Sequence, residues 1–214
     1  MTIEFYLDYL CPKCYLQHKI IESMVDHKSI DPNLIIYRSF EMVDEKDFDQ
    51  SIAFADFISK YKHLPKEEVV EFLKGTNLDI KLFPIHHVHK MFHLAKRHAL
   101  AYAYNQSVFK AIYEQHLDLS DLDILKKLSL SVGLPKDEVE QVLYTNKYSN
   151  AVISNKENGL LKGVHMLPFL RINKMIKLEG IQDEAIIIEA LNVEQPKSNH
   201  EHCIGEHCYR KRVN

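Results

Sequence analysis

The chain has 214 residues, of which 46% are hydrophobic and 27% charged, the balance of a soluble globular protein able to bury a sizeable core in one domain or a domain with an insert. A formal charge of -3 gives no footprint for nucleic acid or an anionic membrane, and neither partner is expected. No basic segment followed by an apolar one opens the chain and no apolar stretch approaches transmembrane length, so a cytoplasmic protein is expected.

Ile3 to Leu7 reads as a strand, and a helical pattern runs from Cys14 to about Met24 through Leu16, Ile20, Ile21 and Met24. Between them lies Cys11-Pro12-Lys13-Cys14. Two cysteines so spaced at a strand-to-helix junction can close and reopen a small disulfide ring. A helix N-terminus stabilises a thiolate and lowers its pKa, which makes Cys11 the natural nucleophile and Cys14, one turn deeper, the resolving thiol. Pro12 suits the first helical turn, where its missing N–H has no partner to lose, and Lys13 supplies a nearby cation. The alternatives are half of a zinc site or two structural cysteines. In a reducing compartment four cysteines favour catalysis, sensing or metal binding over structural staples.

Asp31-Pro32-Asn33 marks a turn, and Leu34 to Tyr37 is a buried second strand that completes a right-handed βαβ unit. From about Asp47 to Val152 strand character disappears. Helices are expected at Gln50 to Lys62, Pro65 to Thr76, His86 to Asn105, Ser107 to His116, Leu122 to Val132 and Pro135 to Thr145, with proline, glycine and Ser120 or Asp121 as their stops and caps. They read as a domain inserted between two halves of an α/β domain. Phe169 to Ile172 and Met175 to Leu178 form an antiparallel pair across Asn173-Lys174, and Asp183 caps a last helix through about Leu191. The domains are therefore 1–46 with 150–193, an all-helical insert at 47–149, and a polar Cys/His-rich tail at 194–214.

His86, His89 and His93 share one helical face, where ordinary packing histidines are the simpler reading than a metal site. In the tail, Cys203 and Cys208 are suited to a second redox pair; with His202 and His207 they are alternatively a zinc cluster, or the tail is inert. Apart from that zinc, no cofactor is required.

The order βαβ, helical insert, ββα, with CxxC opening the first helix, resembles the DsbA-like branch of the thioredoxin superfamily. Asp8-Tyr9-Leu10-Cys11-Pro12-Lys13-Cys14-Tyr15, Val88-His89-Lys90-Met91, Gly163-Val164-His165-Met166-Leu167-Pro168-Phe169 and Glu179-Gly180-Ile181-Gln182 are similar to family segments. Among relatives, FrnE-type cytoplasmic disulfide oxidoreductases fit best, since some carry a CxxxxC tail as Cys203 and Cys208 do here. The resemblance implies a thioredoxin-like fold split by a helical insertion, with Pro168 as a cis-proline facing the CxxC and Leu167 and Pro168 binding the substrate backbone. Lys13 and Met166 depart from the family pattern, which leaves redox potential and substrate preference open.

The implied activity is thiol–disulfide exchange through Cys11 and Cys14 with disulfide- or thiol-containing protein or small-molecule substrates, and glutathione or thioredoxin as electron partner. The competing functions are a non-enzymatic DsbA-like adaptor, for example for a protease, or a metal-responsive binding protein. A glutathione-dependent kappa-type isomerase or transferase is disfavoured, because those relatives generally use serine where Cys11 stands.

Overall fold

The computed structural model describes residues 1–193, together with the backbone of 201–204 and 207–210. A four-stranded sheet runs in the order β2-β1-β3-β4, where β1 is Ile3–Leu7, β2 Ile35–Ser39, β3 Phe169–Ile172 and β4 Ile176–Glu179. β1 pairs parallel with β2 and antiparallel with β3, and β3 pairs antiparallel with β4. The two halves of this sheet come from opposite ends of the described chain. The turn from β3 to β4 places Asn173 and Lys174 at φ of 52° and 63°, the left-handed pair that a tight hairpin demands and that asparagine tolerates.

β1 is buried along its whole length, and it carries a glutamate at its second position. Glu4 is held by both neighbouring strands: Arg38 of β2 donates to it at 2.7 Å and Arg171 of β3 at 3.1 Å. Burial pushes this carboxyl up, but the hydrogen bond and charge of Arg38, helped by Lys162 and Arg171, bring its pKa below the ordinary value.

Strand alternation sends Phe5 and Tyr37 to one face and Tyr6 and Phe169 to the other. On the first lies α1, Pro12–Asp26, whose buried His18 shares a hydrogen bond with the Tyr37 hydroxyl at 3.2 Å through Nδ1. α9, Glu184–Asn192, packs beside it through Ile187, Ala190 and Leu191. On the second face lies α8, Ser149–Leu161. It approaches closely because Gly159 has no side chain: a Cβ there would stand 2.9 Å from the Phe40 ring and 3.4 Å from that of Tyr6. No helix was expected over most of this segment. Ile153, Leu160 and Leu161 are exposed, so its apolar residues do not trace a buried stripe and the sequence pattern fails.

Between β2 and α8 stand six helices: α2 Phe54–Lys62, α3 Lys66–Thr76, α4 His86–Arg97, α5 Ala101–Tyr113, α6 Leu122–Ser131 and α7 Lys136–Tyr144. The expected helix from His86 to Asn105 is in fact two. Ala99 takes φ of 58° and the Leu100 amide donates back to Ala95 O at 2.8 Å, a left-handed helix stop of the kind glycine usually signals. α5 then absorbs the start of the helix expected from Ser107.

The histidine face of α4 divides among separate partners. His86 Nδ1 lies 2.9 Å from Glu41, His93 Nε2 lies 3.1 Å from the Ser39 hydroxyl, and His89 packs at a tilt against Tyr9 with ring centroids 4.8 Å apart. No group of three metal-ligating side chains converges among the described residues, and no described helix is long and apolar enough to cross a membrane.

In the tail, β5, Glu201–Ile204, and β6, His207–Arg210, pair antiparallel with Cys203 opposite Cys208. The side chains of His202, Cys203, His207 and Cys208 lie outside what the structure describes.

Candidate redox site

The site is built where β1 hands over to α1. Asp8 is buried and uses both carboxylate oxygens on backbone: Oδ1 accepts from the Leu10 N–H at 2.6 Å and Oδ2 from the Met42 N–H at 2.7 Å. This single side chain ties the loop after β1 to the loop after β2. The other anchors come from α5. The Tyr113 hydroxyl donates to Tyr9 O at 3.1 Å, the Tyr9 hydroxyl donates to Asn105 Oδ1 at 2.8 Å, and Tyr15 stacks on Tyr113 at 4.8 Å. The loop leading to the dithiol is therefore fastened to the helical insert as well as to the sheet.

Cys11 is the N-cap of α1, with extended backbone angles, and Pro12 occupies the first turn. Its sulfur accepts from the Cys14 N–H at 3.3 Å, so a cysteine does what serine or aspartate does at an ordinary cap. Both sulfurs are fully buried. Across from them the Leu167–Pro168 peptide bond is cis, and the Leu167 carbonyl oxygen lies 3.8 Å from Cys11 Sγ. The Pro168 carbonyl accepts from the Gly180 N–H at 2.9 Å, and Gln182 is held by Gln17 of α1, whose Oε1 accepts from its N–H at 2.6 Å. The segments around Cys11, Pro168 and Gly180, three of those named by sequence resemblance, are thus joined at this site.

The two thiols have opposite acidities. Burial pushes the Cys11 thiol up, but a hydrogen bond from the Cys14 thiol, the charge and hydrogen bond of Lys62 and the Cys14 N–H outweigh it, and its pKa falls to about 6. Cys14 is raised well above the ordinary thiol value, by burial first and then by its hydrogen bond to Cys11 and the negative charge there. One sulfur is ionised at neutral pH and the other keeps its proton.

Lys13, the cation anticipated from the motif, faces an aromatic ring of α3. Its ammonium sits over the Phe72 ring, 5.7 Å from the centroid. The cation acting on Cys11 is Lys62, the last residue of α2, which donates to the Leu167 carbonyl. Nothing in the CxxC motif points to a lysine at the end of an insert helix; only the fold brings it there. Beside the sulfurs, Pro12, Lys13, Ile58, Lys62, Val69 and Phe72 line a pocket of about 210 Å³, mostly apolar.

A low-pKa thiol capping a helix, a protonated thiol one turn on and a cis-proline opposite, all on a thioredoxin-type sheet, define a thioredoxin-fold protein with a dithiol centre. The chain belongs to the family of DSBA-like thioredoxin domains, whose match spans residues 2–192. It is 24% identical over 152 residues to the protein YwbO of Bacillus subtilis, which covers 69% of this chain and 74% of that one. Among solved structures, a probable DsbA oxidoreductase from Streptomyces coelicolor superposes with a TM-score of 0.74 at 18% identity, over 99% of this chain and 100% of that one. A 2-hydroxychromene-2-carboxylate isomerase gives 0.63 at 16% identity, over 89% and 93%. The α-DsbA1 protein of Wolbachia pipientis gives 0.56 at 16%, over 89% and 84%. At these identities the structures share the fold with this chain, in keeping with the thioredoxin-like fold and helical insertion expected of the sequence.

Proposed function

We propose that the protein is a thiol–disulfide oxidoreductase in which Cys11 is the nucleophile and Cys14 the resolving thiol. The observation that carries this reading is geometric: Cys11 caps α1 and accepts from the Cys14 N–H at 3.3 Å, with the cis Leu167–Pro168 bond opposite it, and the opposite acidities of the two sulfurs agree with that arrangement. Acting as a reductant, the Cys11 thiolate attacks one sulfur of a substrate disulfide. The substrate S–S bond breaks, a mixed disulfide forms, and the departing substrate thiolate takes up a proton. Cys14 then loses its proton and attacks Cys11 Sγ, releasing the second substrate thiolate and leaving Cys11 and Cys14 oxidised to a disulfide. The substrate has gained two electrons and the dithiol has lost two; run in reverse, the cycle makes the protein an oxidant.

Leu167 and Pro168 bind the substrate backbone in this reading, and the pocket beside them takes substrate groups flanking the reacting sulfur. Pro12 fixes the first turn of α1, while Lys13 adjusts the site from the pocket wall. Glutathione or thioredoxin is the electron partner and no cofactor takes part. In this proposal the reaction runs in the cytoplasm, where glutathione and thioredoxin keep thiols reduced. The limits of the sheet domain at 1–46 and 150–193 and of the insert at 47–149 belong to the same proposal.

The subtype we favour is the FrnE-like one, with Cys203 and Cys208 as a second redox pair; a backbone register that sets them opposite each other supports this. Zinc held by His202, Cys203, His207 and Cys208 is the competing arrangement.

The test is catalysed reduction of a protein disulfide with a thiol donor, comparing wild type with Cys11→Ser and with Cys203→Ser/Cys208→Ser. Turnover lost in Cys11→Ser supports the assignment, and a further loss in the tail variant adds the second centre. Wild type without turnover, in either the reducing or the oxidising direction, overturns it.

A further inference from the structure

We propose that Lys62 is a positioning residue of the redox centre: its ammonium, carried in from the end of α2, meets Cys11 on the Leu167 carbonyl and makes the helical insert an electrostatic part of the dithiol site.

The placement of Lys62 follows from how α2 ends. His63 adopts a left-handed conformation with φ of 52°, the Leu64 amide turns back to Ser59 O at 3.2 Å, and the Ser59 hydroxyl donates to Leu64 O at 2.7 Å. Pro65 follows and forbids continuation. Upstream, Phe54, Phe57 and Ile58 of the same helix are buried. The last residue of α2 is therefore held at a closed turn, where it lines the pocket together with Ile58 and Val69 and donates to the Leu167 carbonyl, the oxygen that lies 3.8 Å from Cys11 Sγ.

A half-buried ammonium survives only with compensation, because burying a cation without partners costs several kcal/mol and would otherwise strip its proton. Lys62 has that compensation. Burial alone would lower its pKa, yet the negative charge of the Cys11 thiolate, the hydrogen bond to it and the carboxylate of Asp8 raise it above the ordinary lysine value. The dependence is reciprocal, since Lys62 is also one of the groups that hold the Cys11 thiol near 6.

The groups facing Cys11 can be named element by element. α1 contributes Cys14, the loop after β1 contributes Asp8, α5 contributes the Tyr113 phenol, and α2 contributes Lys62. Lys13 looks toward Phe72 of α3, and Glu68 of α3 stands exposed at the pocket rim. Lys62 is thus the basic side chain acting on Cys11 in the described part of the site, and it is supplied by the insert.

Two consequences distinguish this role from simple packing. Removing the charge raises the Cys11 pKa, and because only the reduced form carries the thiolate, it also makes the protein a weaker oxidant. The charge, rather than the carbon stem, carries the effect, so arginine restores in part what methionine loses.

The experiment is the thiolate absorbance of the reduced full chain near 240 nm, titrated with pH in wild type, Lys62→Met, Lys62→Arg and the exposed Lys60→Met. The equilibrium with glutathione disulfide is measured in parallel, and circular dichroism checks that each variant is folded. This inference rests on Cys11 being the reactive thiol, but the titration involves no substrate, so its failure stands apart from a failure of turnover. The expected result is a rise of about one unit or more for Lys62→Met, with a roughly fivefold or greater fall in the oxidising equilibrium constant at pH 7 for a thiol that starts near 6, a smaller change for Lys62→Arg and none for Lys60→Met. A folded Lys62→Met that titrates like wild type overturns the proposal, and so does a rise in Lys62→Arg as large as in Lys62→Met.

Discussion

The hydroxyl of Tyr113 donates to the carbonyl oxygen of Tyr9 at 3.1 Å, inside a fully buried environment. That bond joins a helix of the insert to the loop that presents Cys11. Removing the hydroxyl leaves a buried carbonyl short of its donor, which costs about 1–3 kcal/mol. Tyr113→Phe is therefore expected to unfold at lower urea concentration with an unchanged slope, since the transition exposes the same surface. A slope that falls would mean that the insert and the sheet separate in two steps.

The acidity of Cys11 predicts its chemistry with alkylating reagents. A thiol with pKa about 6 is mostly thiolate at pH 7, so iodoacetamide should label Cys11 at a rate that rises through pH 6 and levels off near pH 7. Cys14, held protonated by burial and by its partner, should remain unlabelled over that range. Cys14→Ala removes the strongest of the groups that lower the Cys11 pKa, and the midpoint should move upward. Mass spectrometry of labelled peptides across pH checks each of these, and a rate that rises only above pH 8 would contradict the assignment.

Much of this site was legible because its chemistry is local. Cys11, Pro12 and Cys14 fall within one turn, and the strand before them and the helix after them are both readable from spacing. The sheet was legible for the same reason, since β1, β2 and the β3–β4 hairpin are short apolar runs with their turns intact. Lys62 was not, because its contact with the Leu167 carbonyl joins positions 105 residues apart, and a lysine at a helix end looks like any solvated residue. Lys13 drew attention by adjacency in sequence, yet its side chain leaves the sulfur for an aromatic face. Ala99 and α8 were missed for another reason: an alanine in a left-handed stop and a helix packed through a glycine carry no local signature.

Gly159 is where that unread packing can be tested. Its α-carbon allows α8 to lie against Phe40 and Tyr6, and a methyl group there would come within 2.9 Å of the Phe40 ring. Alanine is the better helix former by about 1 kcal/mol, so on propensity alone Gly159→Ala should stabilise. Overpacking a rigid interface costs about 1–3 kcal/mol, and two ring atoms of Phe40 lie at 3.0 Å or closer. Contact should win and the variant should melt lower. The double variant Gly159→Ala/Phe40→Leu should recover part of the loss relative to Phe40→Leu alone, a coupling that propensity cannot produce.

His18 gives the fold a defined acid limit. Its ring is buried under Tyr37, Tyr102 and Phe109, and Nδ1 shares its hydrogen bond with the Tyr37 hydroxyl at 3.2 Å. Glu22 lies 4.0 Å from Nε2, but Lys19 engages that carboxylate at 2.7 Å. Burial, helped by the Lys19 charge, lowers the His18 pKa from 6.5 to about 3. The ring is neutral in the folded state over the whole interval in which an unfolded chain takes up a proton. Above pH 6.5 the two states hold equal protons and His18 adds no pH dependence. As pH falls from 6.5 to about 3, only the unfolded chain is protonated there, and stability is lost by up to roughly 1.4 kcal/mol per pH unit. Urea midpoints measured from pH 7 to pH 4 should therefore decline in wild type and decline less steeply in His18→Gln, whose side chain cannot take up the proton. Equal slopes for the two proteins would mean that the folded state accommodates a charged imidazole at that position.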